Sequence, residues 1–190
     1  VVSIAHTCAN YDQAKEAFAC GASHVTHIFN AMPAFGHRDP GVIGAASDDA
    51  AHVEMISDGI HLHPAVVRSV FKWFGDDRVC LISDAMRAVG MPNGVYSLGG
   101  QTVYMTDGKA TLESGVIAGS ATSLAECFRR AVSFNVPLES ALKAATINPA
   151  KAVGLFDEVG SITEGKRADV LVLDETLHPE HIFIGGVKTK

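Results

Sequence analysis

Four polar side chains follow short apolar runs in this 190-residue chain, and their types are those of a hydrolytic site. His6 follows VVSIA, His27 follows SHVT, His61 follows VEMISDGI and Asp84 follows RVCLIS. A side chain placed after a buried parallel strand lies at the carboxyl-end face of the sheet, which is where β/α barrels carry out chemistry. Two imidazoles and a carboxylate that meet there are typical of a hydrolytic metal site.

The two histidines that follow consecutive strands are the candidate metal ligands. His6 and His27 could each be a core or capping histidine, but their matching positions favour a shared metal. Neutral imidazole is the commonest protein ligand for zinc. Two ligands are too few for a metal site, so a further carboxylate or histidine has to come from elsewhere.

Asp84 and His61 are the candidates for proton and substrate handling. Asp84 is either a turn or capping aspartate or a general base that takes a proton from water and returns it to a leaving amine. The Asp58-Gly59 turn could point His61 inwards, whereas a capping role is expected for His63, which precedes Pro64.

Two further segments could bind an anion. Arg38 lies in the long loop NAMPAFGHRDPGVIG and is either a solvated cation or a clamp for phosphate or carboxylate. Gly119 and Ser120 stand before a predicted helix, where free backbone N–H groups can bind a polar group.

The elements that would position these residues alternate between strand and helix as far as Asp84. Such alternation is typical of a parallel α/β sheet. Strands are predicted at Val1–Ala5, His24–Ile28, His52–Ser57 and Val79–Ser83, and helices at Tyr11–Cys20 and from Pro64 to Gly75. Four strands are half of what a closed eight-stranded barrel needs, and the chain begins inside an apolar run without methionine, so a fragment is expected.

The remainder of the chain has a different pattern. Gly94–Leu112 contains short alternating runs and turn residues, which predict β-hairpins. Ser123 and Glu126 predict a capping box that opens a helix to about Phe134, and Leu138–Ala145 predicts another. Asn148-Pro149 is expected to cap a third, short helix, and the tail from Ala168 is β again.

Composition excludes several classes of protein. The net charge is −6 and no basic run occurs, which argues against nucleic acid as a partner. The sequence contains no 18-residue apolar run, so no membrane span is predicted. It does not open with a charged segment followed by an apolar stretch, so no signal peptide is predicted either. The four cysteines lie in or beside apolar segments without a CxxC pair, so reduced core thiols of a cytosolic protein are expected.

Six strings in this order carry a resemblance to a known family. They are HIFNAMPAFGHRDPGVIG, SDGIHLHP, CLISDAMRAVG, GVIAGSATSL, NPAKAVGL and GSITEGKRADVLVLD. Together they cover nearly the whole chain and resemble the N-acetylglucosamine-6-phosphate deacetylases of the amidohydrolase superfamily. The resemblance implies an α/β fold class, with the C-terminal half of a (β/α)8 TIM-like barrel in residues 1–157 and the C-terminal strands of a small β-sandwich in residues 158–190.

The resemblance also implies a role for each site residue. His6 and His27 match metal ligands, and Asp84 matches the catalytic aspartate. The positions that match substrate-binding residues are Asn30, Ala31, Arg38, His61, Ile117, Ala118 and Gly119. Arg38 and His61 would serve the sugar phosphate, and the arginine could reach across a dimer interface.

The implied enzyme is a cytoplasmic homodimer of amino-sugar catabolism that uses zinc or Fe(II). It would act on N-acetylglucosamine 6-phosphate, a small-molecule sugar phosphate. The family's glutamate ligand lies upstream of Val1, so residues 1–190 alone are expected to be inactive. The alternatives are another amidohydrolase, acting on a cyclic amide or a different N-acyl sugar, and a non-catalytic barrel fragment.

Overall fold

A four-stranded parallel sheet forms the first half of the molecule in a computed structural model that describes all residues, Val1–Lys190. Its strands are β1 (Ser3–Ile4), β2 (His24–Val25), β3 (His52–Met55) and β4 (Val79–Leu81), paired in that order. The predicted alternation of strand and helix is confirmed, but each strand is shorter than predicted. In β2, β3 and β4 the whole difference is at the carboxyl end, because the backbone there turns into the loops that carry the candidate site.

Three helices connect these strands and cover one face of the sheet. They are α1 (Tyr11–Ala19), α2 (Gly41–Ser47) and α3 (Pro64–Phe74). The predicted cap is confirmed at α3, where the His63 side chain accepts the Ala65 N–H at 3.2 Å. Alternate strand residues and the apolar stripes of the helices form one core of 24 buried residues. Polar side chains therefore lie on the other face of the strands and at the strand ends.

The helix α2 corrects the prediction of a continuous loop after His27. Its first six residues, Gly41 to Ala46, are all buried. Two glycines in this segment argue against a helix by propensity, since glycine is a poor helix former. Burial of these small residues against the neighbouring α1 replaces the missing propensity.

A separate antiparallel sheet follows β4. Its strands are β5 (Gly94–Leu98), β6 (Gln101–Thr106), β7 (Lys109–Leu112) and β8 (Ile117–Ser120), in sequence order. This confirms the predicted hairpins and gives the sheet a small core of its own around Val103. Gly119 and Ser120 precede helix α4 (Leu124–Ser133) as predicted, but both are in strand β8 and the Ser120 N–H donates to the Asp84 carbonyl, so that N–H is not free for an anion.

Three helices return the chain to the parallel sheet: α4 (Leu124–Ser133), α5 (Leu138–Ala145) and α6 (Ile147–Ala152). Only half of the predicted capping box at α4 is present, because Ser123 Oγ accepts the Glu126 N–H while the Glu126 carboxylate binds Arg129 and Arg130. The predicted cap at Asn148 is wrong. Asn148 is fully buried within α6, and its amide donates to the carbonyl oxygens of Asp76 and Val79, each at 2.7 Å.

The C-terminal residues form a three-stranded antiparallel sheet of β9 (Val170–Leu173), β10 (Pro179–Ile184) and β11 (Val187–Lys188). The domain boundary predicted at residue 157 stays a prediction. None of the helices combines the length and the apolar character that crossing a bilayer requires.

The prediction that all four cysteines are core thiols is half wrong. Cys80 and Cys127 are buried, whereas Cys8 and Cys20 are exposed, and all four are free. Burial raises the pKa of the Cys80 thiol to about 12 and that of Cys127 to about 11, so neither is a ready nucleophile or metal ligand at neutral pH.

Candidate active site

An unusual backbone conformation marks the residues that follow three of the parallel strands. His6, His27 and Asp84 have φ angles of 42°, 33° and 46°, in the left-handed region that side chains rarely adopt. In the loop after His27, Phe29 and Ala31 also have positive φ, at 75° and 50°. Five of the eight non-glycine residues with positive φ therefore lie in these strand-end loops, and such strain concentrates at functional sites.

The first two of these residues are brought into direct contact. The Nε2 atoms of His6 and His27 are 2.9 Å apart, and the rings meet edge to face with their centroids at 4.7 Å. The Thr7 N–H donates to the Ala31 carbonyl at 3.1 Å, which ties together the loops that follow β1 and β2. Two residues 21 positions apart thus present the same ring nitrogen to one point.

The geometry of this pair fits a shared metal ion. Two nitrogens bound to one tetrahedral zinc, each at roughly 2.0–2.1 Å, lie about 3.3 Å apart, so a shift of a few tenths of an ångström is enough. The His27 ring is buried, and its Nδ1 has no hydrogen-bond partner. No group of three His, Cys, Asp or Glu side chains is arranged to hold a metal. The role of His6 and His27 as metal ligands therefore stays a prediction, and these two side chains alone would not complete a ligand set.

Asp84 is held by the strand that ends the antiparallel sheet. The Ser120 N–H donates to the Asp84 carbonyl at 3.0 Å, and the Met86 N–H donates to the Ser120 carbonyl at 2.9 Å. These bonds make a parallel bridge between Ala85 and Ser120. They fix the backbone of Asp84, which is itself exposed, so its carboxylate is available to a bound molecule.

His61 is oriented by a buried carboxylate that the sequence identified only as part of a turn. His61 Nδ1 lies 2.7 Å from Asp58 Oδ2, and the side chain of Asp58 is 1% exposed. Burial raises the pKa of Asp58, but hydrogen bonds from the ring and backbone of His61 and from the Ile60 N–H outweigh it, so the pKa is below its usual range. Asp58 is therefore an ionised acceptor at neutral pH.

One cavity of about 720 Å³ collects nearly all of the candidate residues. Its volume is within the range of ordinary small-molecule sites. The predicted residues that line it are His6, His27, Asn30, Ala31, His61, Asp84, Ile117, Ala118 and Gly119. Their roles as ligands, catalyst and substrate contacts stay predictions, but the fold does bring them to one place.

Asn30 and Arg38 show how differently two predicted contacts are placed. The Asn30 amide donates to the carbonyl oxygens of His27 and Ile28, each at 3.2 Å, so its position is fixed by the turn after β2. Arg38 does not line the cavity. It lies in a separate depression with Tyr11 and donates to His37 Nε2 at 2.7 Å.

The antiparallel sheet supplies cavity walls that the sequence did not predict. The additional lining residues include Met86, Leu98, Gln101, Leu112 and Val116. No local pattern distinguished them from ordinary hairpin residues. Asp58 was also missed as a site residue, although its i, i+3 spacing to His61 after an apolar run was a usable signal.

The sequence of this chain is similar to those of known enzymes. The amidohydrolase family model matches residues 1–189. An N-acetylglucosamine-6-phosphate deacetylase of Lysinibacillus sphaericus is 42% identical over 93% of this chain and 46% of its own length. An N-acetylgalactosamine-6-phosphate deacetylase of Escherichia coli O157:H7 is 39% identical over 97% of this chain and 49% of its own length.

A solved structure matches the fold as well. It is a mutant N-acetyl-D-glucosamine-6-phosphate deacetylase of Mycobacterium smegmatis in complex with N-acetyl-D-glucosamine-6-phosphate. The TM-score is 0.94 at 39% identity, over 99% of this chain and 51% of that one. These similarities confirm the resemblance and the predicted fold class, part of a TIM-like hydrolase barrel. The chain spans about half the length of these proteins.

Proposed function

Because the chain belongs to the amidohydrolase family, we propose that it forms part of a metal-dependent hydrolase that removes the acetyl group from N-acetylglucosamine 6-phosphate. The products are glucosamine 6-phosphate and acetate. One observation carries the proposal: His6 and His27 meet with their Nε2 atoms 2.9 Å apart in a cavity that Asp84 and His61 also line. Nitrogen ligands for a metal and a carboxylate that can carry a proton suit metal-assisted amide hydrolysis.

His6 and His27 would hold a divalent metal, zinc or Fe(II), through Nε2, with an acidic ligand from outside these residues. When bound, such a metal supplies Lewis acidity that polarises a carbonyl and makes water more acidic. The Asp84 carboxylate takes the proton of the attacking water and delivers it to the nitrogen of the departing amine. The exposure of Asp84 and the hydrogen bonds that fix its backbone support this role.

The other cavity residues would bind the sugar phosphate. Asn30, Ala31 and the strand segment Ile117–Gly119 line the cavity beside the histidines, which suits the acetamide and the sugar ring. His61 serves the phosphate. Arg38 is exposed and outside the cavity, which supports a role at the site of a second subunit in a homodimer. A phosphorylated amino sugar as substrate favours the cytoplasm as location.

A second candidate substrate is N-acetylgalactosamine 6-phosphate, which differs only in the configuration at one carbon. It is favoured by the relative from Escherichia coli O157:H7, whose identity of 39% is close to the 42% of the glucosamine-type relative. The ratio of kcat/KM for the two sugar phosphates decides between them, since discrimination is expressed in that ratio.

Metal analysis tests the proposal. Purified whole protein should contain bound zinc or iron, and His6→Ala or His27→Ala should remove most of it together with deacetylase activity. His178→Ala is the matched control, since that histidine is exposed and remote from the cavity, and it should leave both unchanged. Full metal content and turnover in the His6→Ala and His27→Ala variants would contradict the proposal.

A further inference from the structure

Asp58 uses its two carboxylate oxygens for separate tasks. Oδ1 accepts the backbone N–H groups of Ile60 and His61, each at 2.9 Å, which is an ordinary turn interaction. Oδ2 is left for the ring of His61, with 2.7 Å to Nδ1. A turn alone needs only the first oxygen, so the contact with the ring calls for a different explanation.

The free nitrogen of the same ring is what a ligand would meet. His61 lines the cavity, and its Nε2 has no hydrogen bond within the protein. An ionised carboxylate at Nδ1 can only accept, so it requires a proton on Nδ1. That proton fixes which nitrogen remains for the ligand, and the carboxylate also balances the positive charge of a protonated ring.

Helix α4 holds the Asp58 segment rigidly. Ser57 Oγ donates to the Cys127 carbonyl at 2.7 Å, and the Arg130 guanidinium donates to the Asp58 carbonyl. A methyl group at Gly59 would come within 3.0 Å of the Phe134 ring, so the turn also packs closely against this part of the chain. The carboxylate is thereby fixed in space and can define the orientation of the imidazole.

We propose that Asp58 is a positioning residue: it accepts the Nδ1 proton of His61 and balances the charge of the doubly protonated ring, whose Nε2–H then donates to the anionic group of the substrate. The inference rests on the proposed function in one respect, that His61 contacts the phosphate. Asp58 itself lies outside the lining of the cavity and acts only through the histidine.

Asp58→Asn tests the proposal, because the amide oxygen preserves the turn while the NH2 group faces His61 Nδ1 and forces the proton onto Nε2. Nitrogen-15 NMR of the neutral imidazole in substrate-free whole protein should show the proton on Nδ1 in the wild type and on Nε2 in the variant. An unchanged tautomer would overturn the proposal. This measurement needs no activity, so it separates failure of the proposal from failure of the proposed function.

Kinetics provide the second measurement. Asp58→Asn should raise KM for the phosphorylated sugar roughly ten-fold, because the ring loses its counter-charge and its Nε2–H meets the phosphate as a neutral donor. The effect on kcat and on KM for unphosphorylated N-acetylglucosamine should be much smaller. In a His61→Asn background the same change should add almost nothing, because neighbours that act together are not additive. Equal effects on both sugars, or additive effects with His61→Asn, would overturn the proposal.

Asp174→Asn is the matched control. Asp174 accepts the N–H groups of Thr176 and His178 at 2.8 Å and 2.9 Å in a similar turn, but it is exposed and remote from the cavity. The variant should leave the His61 tautomer and both KM values unchanged.

Discussion

At the scale of single residues, the site depends on side chains whose position is fixed by strained backbone. His6, His27 and Asp84 all follow parallel strands with positive φ. All three side chains line the same cavity, and backbone hydrogen bonds from Ser120 to Asp84 and from Thr7 to Ala31 hold the strand-end segments in place. The sequence predicted these three residues because each follows an apolar run, but nothing in it indicated the backbone conformation.

Asp84→Asn should separate catalysis from structure. The change preserves shape, and asparagine tolerates the left-handed backbone, but the general base is lost. We expect kcat for deacetylation by the whole protein to fall by roughly 100-fold to 10,000-fold with little change in KM.

The control for that variant is Asp107→Asn, since Asp107 also has a positive φ, of 50°, but is in the turn between β6 and β7. Its kinetics should match the wild type. A fall in kcat of less than ten-fold for Asp84→Asn would exclude Asp84 as the proton carrier.

Acid titration should report the ionised state of Asp58. A carboxyl group whose pKa is lowered on folding adds stability above its unfolded value, about 3.9, and this is lost as the pH falls through the folded value. The difference in free energy of unfolding between wild type and Asp58→Asn should be constant from pH 7 to about 5 and shrink below about 4. Urea denaturation at several pH values measures it, and a difference that grows on acidification would contradict the assignment.

At the scale of elements, short helices and the antiparallel sheet hold the strand ends in place. Strand β8 fixes Asp84, helix α4 fixes the Asp58 segment, and helix α6 is joined to the start of β4 through Asn148. The sequence predicted most of these elements from apolar periodicity and capping residues. It did not predict their partners, because such contacts join residues 30 to 70 positions apart.

Asn148→Asp should show how much the link between α6 and β4 contributes. The variant would place a carboxylate oxygen where an amide now donates to two carbonyl oxygens, so a buried acceptor would face acceptors. We expect a loss of roughly 3 kcal/mol or more in the free energy of unfolding, measured with urea.

Asn135→Asp is the corresponding control at an exposed residue, whose φ of 67° aspartate can also adopt. Its free energy of unfolding should stay within about 0.5 kcal/mol of the wild type. If Asn148→Asp and Asn135→Asp lowered the free energy of unfolding equally, the hydrogen bonds of Asn148 would not be the cause of the loss.

At the scale of the whole molecule, the described residues provide a cavity and the two histidines that we propose as metal ligands. The parallel sheet has four strands, and only two of the imidazoles in the cavity, those of His6 and His27, contact each other. A metal that hydrolyses amides needs at least three protein ligands. The solved relative is about twice as long as this chain, which leaves room for the missing ligand.

Residues 1–190 alone should therefore have no measurable deacetylase activity, even with zinc or Fe(II) added. The assay is acetate release from N-acetylglucosamine 6-phosphate by this segment and by the whole protein side by side. Measurable turnover by the segment alone would show that His6, His27 and Asp84 suffice without a further ligand.

The sequence by itself determined the order of strands and helices and the residue types at the strand ends, because apolar periodicity and the positions of polar residues are local properties. It also carried the motifs of the family. Tertiary structure alone decided that His6 and His27 touch, that Asp58 binds His61, that Arg38 stays outside the cavity and that the hairpins form its wall. Those facts depend on contacts between distant segments, which packing and strand register create and local patterns do not encode.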